Sequence, residues 1–135
     1  MLISSKGRYA LRLMVHVAQA SDGSDVVSMR TVADAEGLSL KYLEQLAGSM
    51  TKAGFLKGVR GAGGGYMLAV DPDVLTAGDI LRAAEGKSAI AVACMGLEDG
   101  CPREDSCTTL DFWSGLDDAI DSYVDGVTLA QLAND

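Results

Sequence analysis

The chain has 135 residues, 48% of them hydrophobic, and a formal net charge of −8. That is enough apolar material for one domain with a real core, while no run of eighteen apolar residues is present to span a membrane. So acidic a chain would be excluded from nucleic-acid binding if the charge were uniform, but it is segregated. Residues 1–70 carry eight Lys/Arg against five acids, a balance of +3, and residues 71–135 carry three against fourteen, a balance of −11. A basic front half can face phosphates while an acidic back half faces solvent or another surface.

In chain order, "SKGRYALRLMVHVAQA" (5–20) puts Tyr9, Leu13, His16, Val17 and Ala20 at helical spacing and predicts a first helix ending before the turn "SDGSD". Lys6, Arg8 and Arg12 followed by Ala18-Gln19-Ala20 only faintly outline a leader peptide, because the apolar run between them is Leu13 to Val17 and contains His16. A cytoplasmic protein is expected. "SMRTVADAEG" predicts a short helix with Ser28 as N-cap and Gly37 as its stop. Ser39 is a second N-cap, opening "LKYLEQLAGSMTKAG", in which Leu43, Leu46, Met50 and Ala53 share one face up to Gly54. Two short helices joined by "EGLS" form a helix-turn-helix pattern.

The period then changes from 3.6 to 2. "FLKGV" (55–59) and "YMLAV" (66–70) are alternating runs separated by "RGAGGG", whose glycines suit a hairpin tip. A helix-turn-helix followed by a hairpin is a winged helix. The glycine loop does not serve as a nucleotide-phosphate loop, because no helix starts after Gly65 and no Gly-Lys-Ser/Thr follows.

After Pro72, "TAGDILRAAEG" shows a capping box, Thr76 with Asp79, and a stop at Gly86. A second box, Thr108 with Asp111, is expected to open the long helix "TLDFWSGLDDAIDSYVDGV". There Trp113, Leu116, Ile120, Tyr123 and Val127 form an apolar stripe on an otherwise acidic helix, which needs cover. Either the chain's own core or a two-fold partner supplies it; readers of paired half-sites are dimers, which favours the partner. The fold class is therefore mainly α with a small β-hairpin wing, a winged helix-turn-helix plus a long C-terminal dimerisation helix. A DNA-binding region over 1–75 and a sensor and dimerisation region over 76–135 are expected within one compact domain.

Between the last two helices, Cys94, Cys101 and Cys107, the only cysteines, lie in "CMGLEDGCPREDSC" with four carboxylates and no histidine. Three cannot all pair internally, and in a reducing compartment the C-x6-C-x5-C spacing fits a loop around a metal or cluster. Thiolates are the ligands of iron–sulfur clusters, zinc accepts three cysteines plus another donor, and metal-free thiols can sense oxidants. Spacing alone does not choose among these.

The segments "KGRYALRLMVHVA" and "LSLKYLEQLAGSMTKAGFLKGVRGAGGGYMLA", the acidic "GDILRAAEG", the clustered cysteines and the closing "TLAQL" together resemble the IscR/NsrR/CymR family of bacterial transcription regulators. The resemblance covers nearly the whole chain. It implies a homodimer on palindromic double-stranded promoter DNA and an iron–sulfur cluster, of two-iron or four-iron type, held by Cys94, Cys101 and Cys107. Ser39, Lys41, Tyr42, Glu44 and Gln45 then lie on the groove-entering turns of the second helix of the motif, where Gln pairs with adenine and Glu accepts from cytosine. Arg60 at the wing base would reach the minor groove or a phosphate, and Arg8, Arg30 and Lys57 would clamp the backbone. Leu43, Leu46, Met50 and Tyr66 are expected to serve packing alone.

The resemblance is incomplete at the fourth ligand. The histidine that the iron-supply regulators carry three residues after the third cysteine is Leu110 here, and the aspartate of the nitric-oxide sensors is Arg8. Remaining donors are an oxygen of Glu98, Glu104, Asp105 or Asp111, an exogenous small molecule, or His16; a weak oxygen donor or a replaceable ligand is expected. The competing readings are a cluster carrier, or a cluster-free member that senses thiol state or is controlled by binding a metabolic enzyme. A carrier has no use for a groove-reading helix. With one histidine and no nucleophile matched to a base, the chain is not expected to be an enzyme.

Overall fold

The computed structural model describes residues 3–20, 25–86 and 102–134. Helix α1 (Ser5–Gln19) opens at Ser4, whose side chain accepts from the Lys6 N–H, and buries Gly7, Ala10, Leu13, Met14, Val17 and Ala18 on one face. Helix α2 (Met29–Glu36) is capped by Ser28 and stops at Gly37, which takes the left-handed conformation at φ 67° that a side chain would resist. Helix α3 (Leu40–Lys52) is capped by Ser39 and buries Leu43, Leu46, Ala47 and Met50. Ala53, expected on that face, is instead the exposed C-cap residue, because the helix ends one residue earlier.

Strands β1 (Leu56–Val59) and β2 (Gly65–Leu68) pair antiparallel with Leu56 opposite Leu68 and Val59 opposite Gly65. The second strand therefore begins and ends earlier than its alternating side chains suggest, because the ladder runs from the Val59–Gly65 pair to the Leu56–Leu68 pair. A further backbone bridge joins the wing to the chain entering α2: Val27 donates to the Tyr66 carbonyl at 2.8 Å and Tyr66 donates to the Val27 carbonyl at 2.9 Å.

Helix α4 (Ala77–Glu85) carries the expected box, with Asp79 N–H donating to the Thr76 hydroxyl and Thr76 N–H donating to the Asp79 carboxylate, both at 3.1 Å. Its other end supports α1. Glu85 Oε1 accepts from Ser4 N (2.8 Å), Ser4 Oγ (2.7 Å) and Gly7 N (3.0 Å), satisfying donors that the first turn of a helix leaves free. These bonds, the Ser4 hydroxyl foremost, hold the Glu85 carboxyl below the usual carboxylate range against the opposing pull of burial. A Cβ at Gly7 would lie 2.7 Å from Glu85 Oε1, so a larger residue there would push the capping carboxylate aside.

Helix α5 (Leu110–Asp125) departs from expectation at its start. Thr109, not Thr108, is the N-cap residue and no side chain caps the helix, so the Thr108–Asp111 box does not form. No residue of α5 is buried; Phe112 and Tyr123 are 63% and 74% exposed, and Val127 falls beyond the helix end. Of the stripe, the described residues half-bury Leu116, Ile120 and Val127 and leave Trp113 and Tyr123 exposed. What fixes α5 is its last turn. Arg82 donates to both Asp125 oxygens at 2.8 Å, a fork-to-fork pair, and α4 presents Gly78 where any Cβ would strike Asp125.

A closing helix, α6 (Leu129–Asn134), was not expected, although its signal is present. Thr128 and Gln131 form a reciprocal box, with Thr128 N–H donating to Gln131 Oε1 at 2.8 Å and Gln131 N–H donating to Thr128 Oγ1 at 3.2 Å. Leu129 is fully buried in one cluster with Leu13, Met14, Leu43, Met50, Leu56 and Ile80. The two regions of the chain therefore share one core. Among the described residues no helix is long and apolar enough to cross a membrane.

Candidate nucleic-acid interface

The N-terminal turns of α3, the chain entering α2 and the wing enclose an open groove of about 500 Å³ whose lining includes Arg30, Leu40, Glu44, Arg60 and Tyr66. Local rules explain each wall. Ser39 caps α3 so that Glu44 and Gln45 stand exposed on its outer face, while Leu43 and Leu46 turn to the core. At the wing tip Gly61 has φ 108° and Gly64 donates to the Gly61 carbonyl at 3.0 Å; a side chain at Gly64 would collide with the Val59 carbonyl. The turn therefore stays tight and leaves Arg60 exposed beside the groove.

Of the residues proposed from sequence, the groove brings together Arg30, Glu44 and Arg60. Ser39, Lys41 and Gln45 are exposed at the start of α3, and Lys57 is exposed on β1. Ser39 uses its oxygen to accept from Tyr42 N–H at 3.1 Å, which leaves its hydroxyl proton available. Arg8 is exposed and lies 5.8 Å over the Tyr9 ring. Tyr42 faces inward. Its ring meets Tyr9 edge-on at a centroid distance of 6.0 Å, and its buried hydroxyl has no hydrogen-bond partner among the described residues.

Tyr66 was expected only to pack, yet its hydroxyl donates to Glu44 Oε2 at 3.2 Å across the groove. Desolvation first, then the neighbouring Glu44 charge, raises the Tyr66 pKa, so the hydroxyl stays a donor. Periodicity carries no signal for this contact between a helix and a hairpin twenty-two residues apart.

His16 Nε2 lies 2.6 Å from Glu36 Oε1, and Arg12 pairs with Glu36 Oε2 at 3.3 Å, tying α1 to α2. His16 thus has a partner of the ordinary packed-histidine kind. Cys94, Cys101 and Glu98 lie outside the described residues. Cys107 is exposed and follows a short 3-10 turn, Glu104–Ser106, that bears the possible oxygen donors Glu104 and Asp105; Asp111 is in the first turn of α5. The Thr109 side chain, 3.4 Å from Cys107 Sγ, and then the backbone N–H groups of Thr109 and Leu110 lower the thiol pKa and favour the thiolate, the form that ligates metals. An exposed, thiolate-favouring Cys107 fits the donor chemistry of a cluster. Among the described residues no three His, Cys, Asp or Glu side chains converge as a metal site.

A capped second helix and a glycine-tipped hairpin on one groove, over a core shared with α1, α4 and α6, define a winged helix-turn-helix protein. The family model Rrf2, described as an iron-dependent transcriptional regulator, matches residues 3–135, and the chain belongs to this family. It is 39% identical over 135 residues to the HTH-type transcriptional regulator IscR of Yersinia enterocolitica, covering 99% of this chain and 80% of that protein. It is 37% identical to the protein of the same name from Escherichia coli, covering 99% and 81%. Among solved structures, CymR, the global cysteine regulator of B. subtilis, superposes with a TM-score of 0.78 at 39% identity, covering 99% of this chain and 97% of that one. T. potens IscR superposes with a TM-score of 0.77 at 34% identity, covering 99% and 87%. These relatives are named as transcriptional regulators rather than enzymes, and the chain is a regulator of the same family.

Proposed function

We propose that two copies of the chain bind an imperfect palindrome in promoter DNA in the cytoplasm, and that an iron–sulfur cluster held by Cys94, Cys101 and Cys107 controls the binding. The observation that carries the DNA reading is the shared groove, in which the start of α3 meets the wing with Arg30 and Arg60 exposed on either side. Gln45 and Glu44 would read base edges, Ser39 and Lys41 would contact bases or phosphates, and Arg8, Arg30 and Lys57 would clamp the backbone; Arg60 would enter the minor groove. Tyr42 contributes by packing on Tyr9 and so seating α3. The Trp113–Leu116–Ile120–Tyr123 stripe of α5, half-buried at Leu116 and Ile120 and exposed at Trp113 and Tyr123, supports a two-fold partner, because the part left open needs cover.

Affinity for a selected palindrome should fall steeply with salt, as several Lys/Arg displace counterions. Arg60→Ala and Gln45→Ala should each weaken specific binding by about 1–3 kcal/mol. Fluorescence anisotropy on that palindrome and on a scrambled duplex checks both; equal affinity of the wild-type protein for the two would overturn the reading.

For the cluster, the support is the three-thiol loop, the description of the family as iron-dependent and the thiolate-favouring setting of Cys107. When bound, the group supplies an oxidation-sensitive centre in the segment that joins α4 to α5. The fourth position would be taken by a weak oxygen donor or a replaceable small molecule, since His16 is engaged by Glu36. Replacing Cys94, Cys101 or Cys107 singly by Ala should abolish or severely weaken iron binding and leave the helical circular-dichroism signal unchanged, because the core stripes lie outside the loop. Protein purified without oxygen is assayed for iron, sulfide and visible absorption. A second reading, metal-free thiol sensing, is favoured by the similarity to Staphylococcus aureus CymR solved in an oxidised form, with a TM-score of 0.75 at 38% identity. Absence of stoichiometric iron after anaerobic reconstitution would transfer the function to that reading, or to control by a bound metabolic enzyme.

A further inference from the structure

Glu44 is an anomaly on a surface meant for phosphates. It is exposed on a groove that Arg30 and Arg60 also line, and among the described residues it makes no ion pair with either of them. A carboxylate facing DNA opposes the general electrostatic attraction, so its presence costs affinity for every sequence unless it meets a base-edge donor. Such a meeting needs a defined direction. Glu44 has three rotatable side-chain bonds and an exposed position, and nothing on its own helix holds the carboxylate.

The holder comes from the wing. Tyr66 donates its hydroxyl to Glu44 Oε2 at 3.2 Å, a long bond for two oxygens that engages only one of the two carboxylate oxygens. The tyrosine is the rigid member of the pair. Its N–H and its carbonyl are both bonded to Val27, and in the hairpin register it stands opposite Gly58. Gly65 before it lies so close to the Val27 carbonyl that a side chain would be expelled. A fixed aromatic hydroxyl thus bonds a mobile carboxylate, and the hydroxyl remains protonated beside it.

We infer that Tyr66 is a specificity-positioning residue: its hydroxyl aims the Glu44 carboxylate at a cytosine amino group, so that the wing sets the base preference of the recognition helix without touching that base. The inference rests on the proposed reading of α3 as the groove-entering helix. Without the hydroxyl, Glu44 is free to swing to Arg30 or Arg60, and the base it faces loses its selective acceptor.

The test uses the full chain purified without oxygen. The wild-type protein selects a consensus from a randomised duplex pool, and affinities are then measured for duplexes differing at one base pair per half-site. Wild type should prefer the G·C pair facing Glu44 by roughly tenfold or more. Tyr66→Phe, which keeps the ring, should reduce that preference to about threefold or less, with the other positions and the salt slope unchanged. Glu44→Ala should remove the same preference, and adding Tyr66→Phe to it should change nothing further. If Glu44→Ala loses the preference while Tyr66→Phe retains it in full, the positioning role is wrong although the helix reads DNA as proposed. Should Tyr66→Phe weaken all sequences alike, the residue is merely structural and the inference fails. A Glu44→Ala protein with every base preference intact would overturn the underlying assignment of Glu44 itself.

Discussion

Leu129→Ala is expected to destabilise the protein by about 2–5 kcal/mol, the range for removing a fully enclosed leucine from a core that cannot collapse around the gap. The residue lies at 0% exposure, six positions from the end of the chain, where fraying would be the ordinary expectation. It is held there by backbone as well as by packing. Leu129 donates to the Leu75 carbonyl at 2.8 Å and Ala130 donates to the Pro72 carbonyl at 2.9 Å, so α6 docks onto the turn between wing and α4. Denaturant unfolding at fixed protein concentration measures the effect. A loss under about 1 kcal/mol would show that the closing helix is not seated in the core in solution.

The second large effect is expected from Gly65→Ala. Its Cβ would strike the Val27 carbonyl oxygen and approach Ser28 N within 2.9 Å, both backbone atoms with no rotamer to yield. Relief requires peeling β2 away from Val27, which sacrifices the paired Val27–Tyr66 hydrogen bonds. At about 1 kcal/mol each, their loss is tolerable to a domain with this core. The functional loss is larger, because Tyr66 and Arg60 leave their places beside α3. Specific DNA affinity should drop by about tenfold or more while the helical signal is retained, as read by anisotropy and circular dichroism on the same preparation. Unchanged affinity would mean that the wing position does not matter for binding.

Much of this architecture was readable locally. Ser28, Gly37, Ser39, Gly54, Thr76 and Gly86 mark helix ends because caps and left-handed stops are decided by neighbours within four residues. The same rule over-reached at Thr108, where the helix begins one residue later, and it was overlooked at Thr128–Gln131, whose box is as well formed as that of Thr76. Contacts between distant elements left no such mark. The Glu85 cap of α1, the Tyr9–Tyr42 edge contact and the Tyr66–Glu44 bond depend on packing angles that no periodic pattern encodes. At the interface, residue chemistry and the positions matched through the family resemblance found Arg30, Glu44 and Arg60, which do line one groove. They also nominated Tyr42, whose chemical type suits a base or phosphate but whose hydroxyl is turned inward and buried.

The clamp between Arg82 and Asp125 makes α5 a lever. Its C-terminal end is held by a two-pronged ion pair, by a further Arg82–Asp121 contact at 3.5 Å and by the Gly78 contact, while none of its sixteen residues is fully buried. The fulcrum is thus at one end and the effort arm runs about 24 Å, at 1.5 Å per residue, toward Leu110 and Cys107. Rotation of about ten degrees around Asp125 would carry the Leu110 end through roughly 4 Å, a distance on the scale of one helical turn, for a very small disturbance at the pivot. The clamp also lies on α4, whose far end is anchored by Glu85 to the first turn of α1. A displacement of the Cys107 end of α5 would therefore reach α1, against which α3 packs, through Arg82, α4 and Glu85.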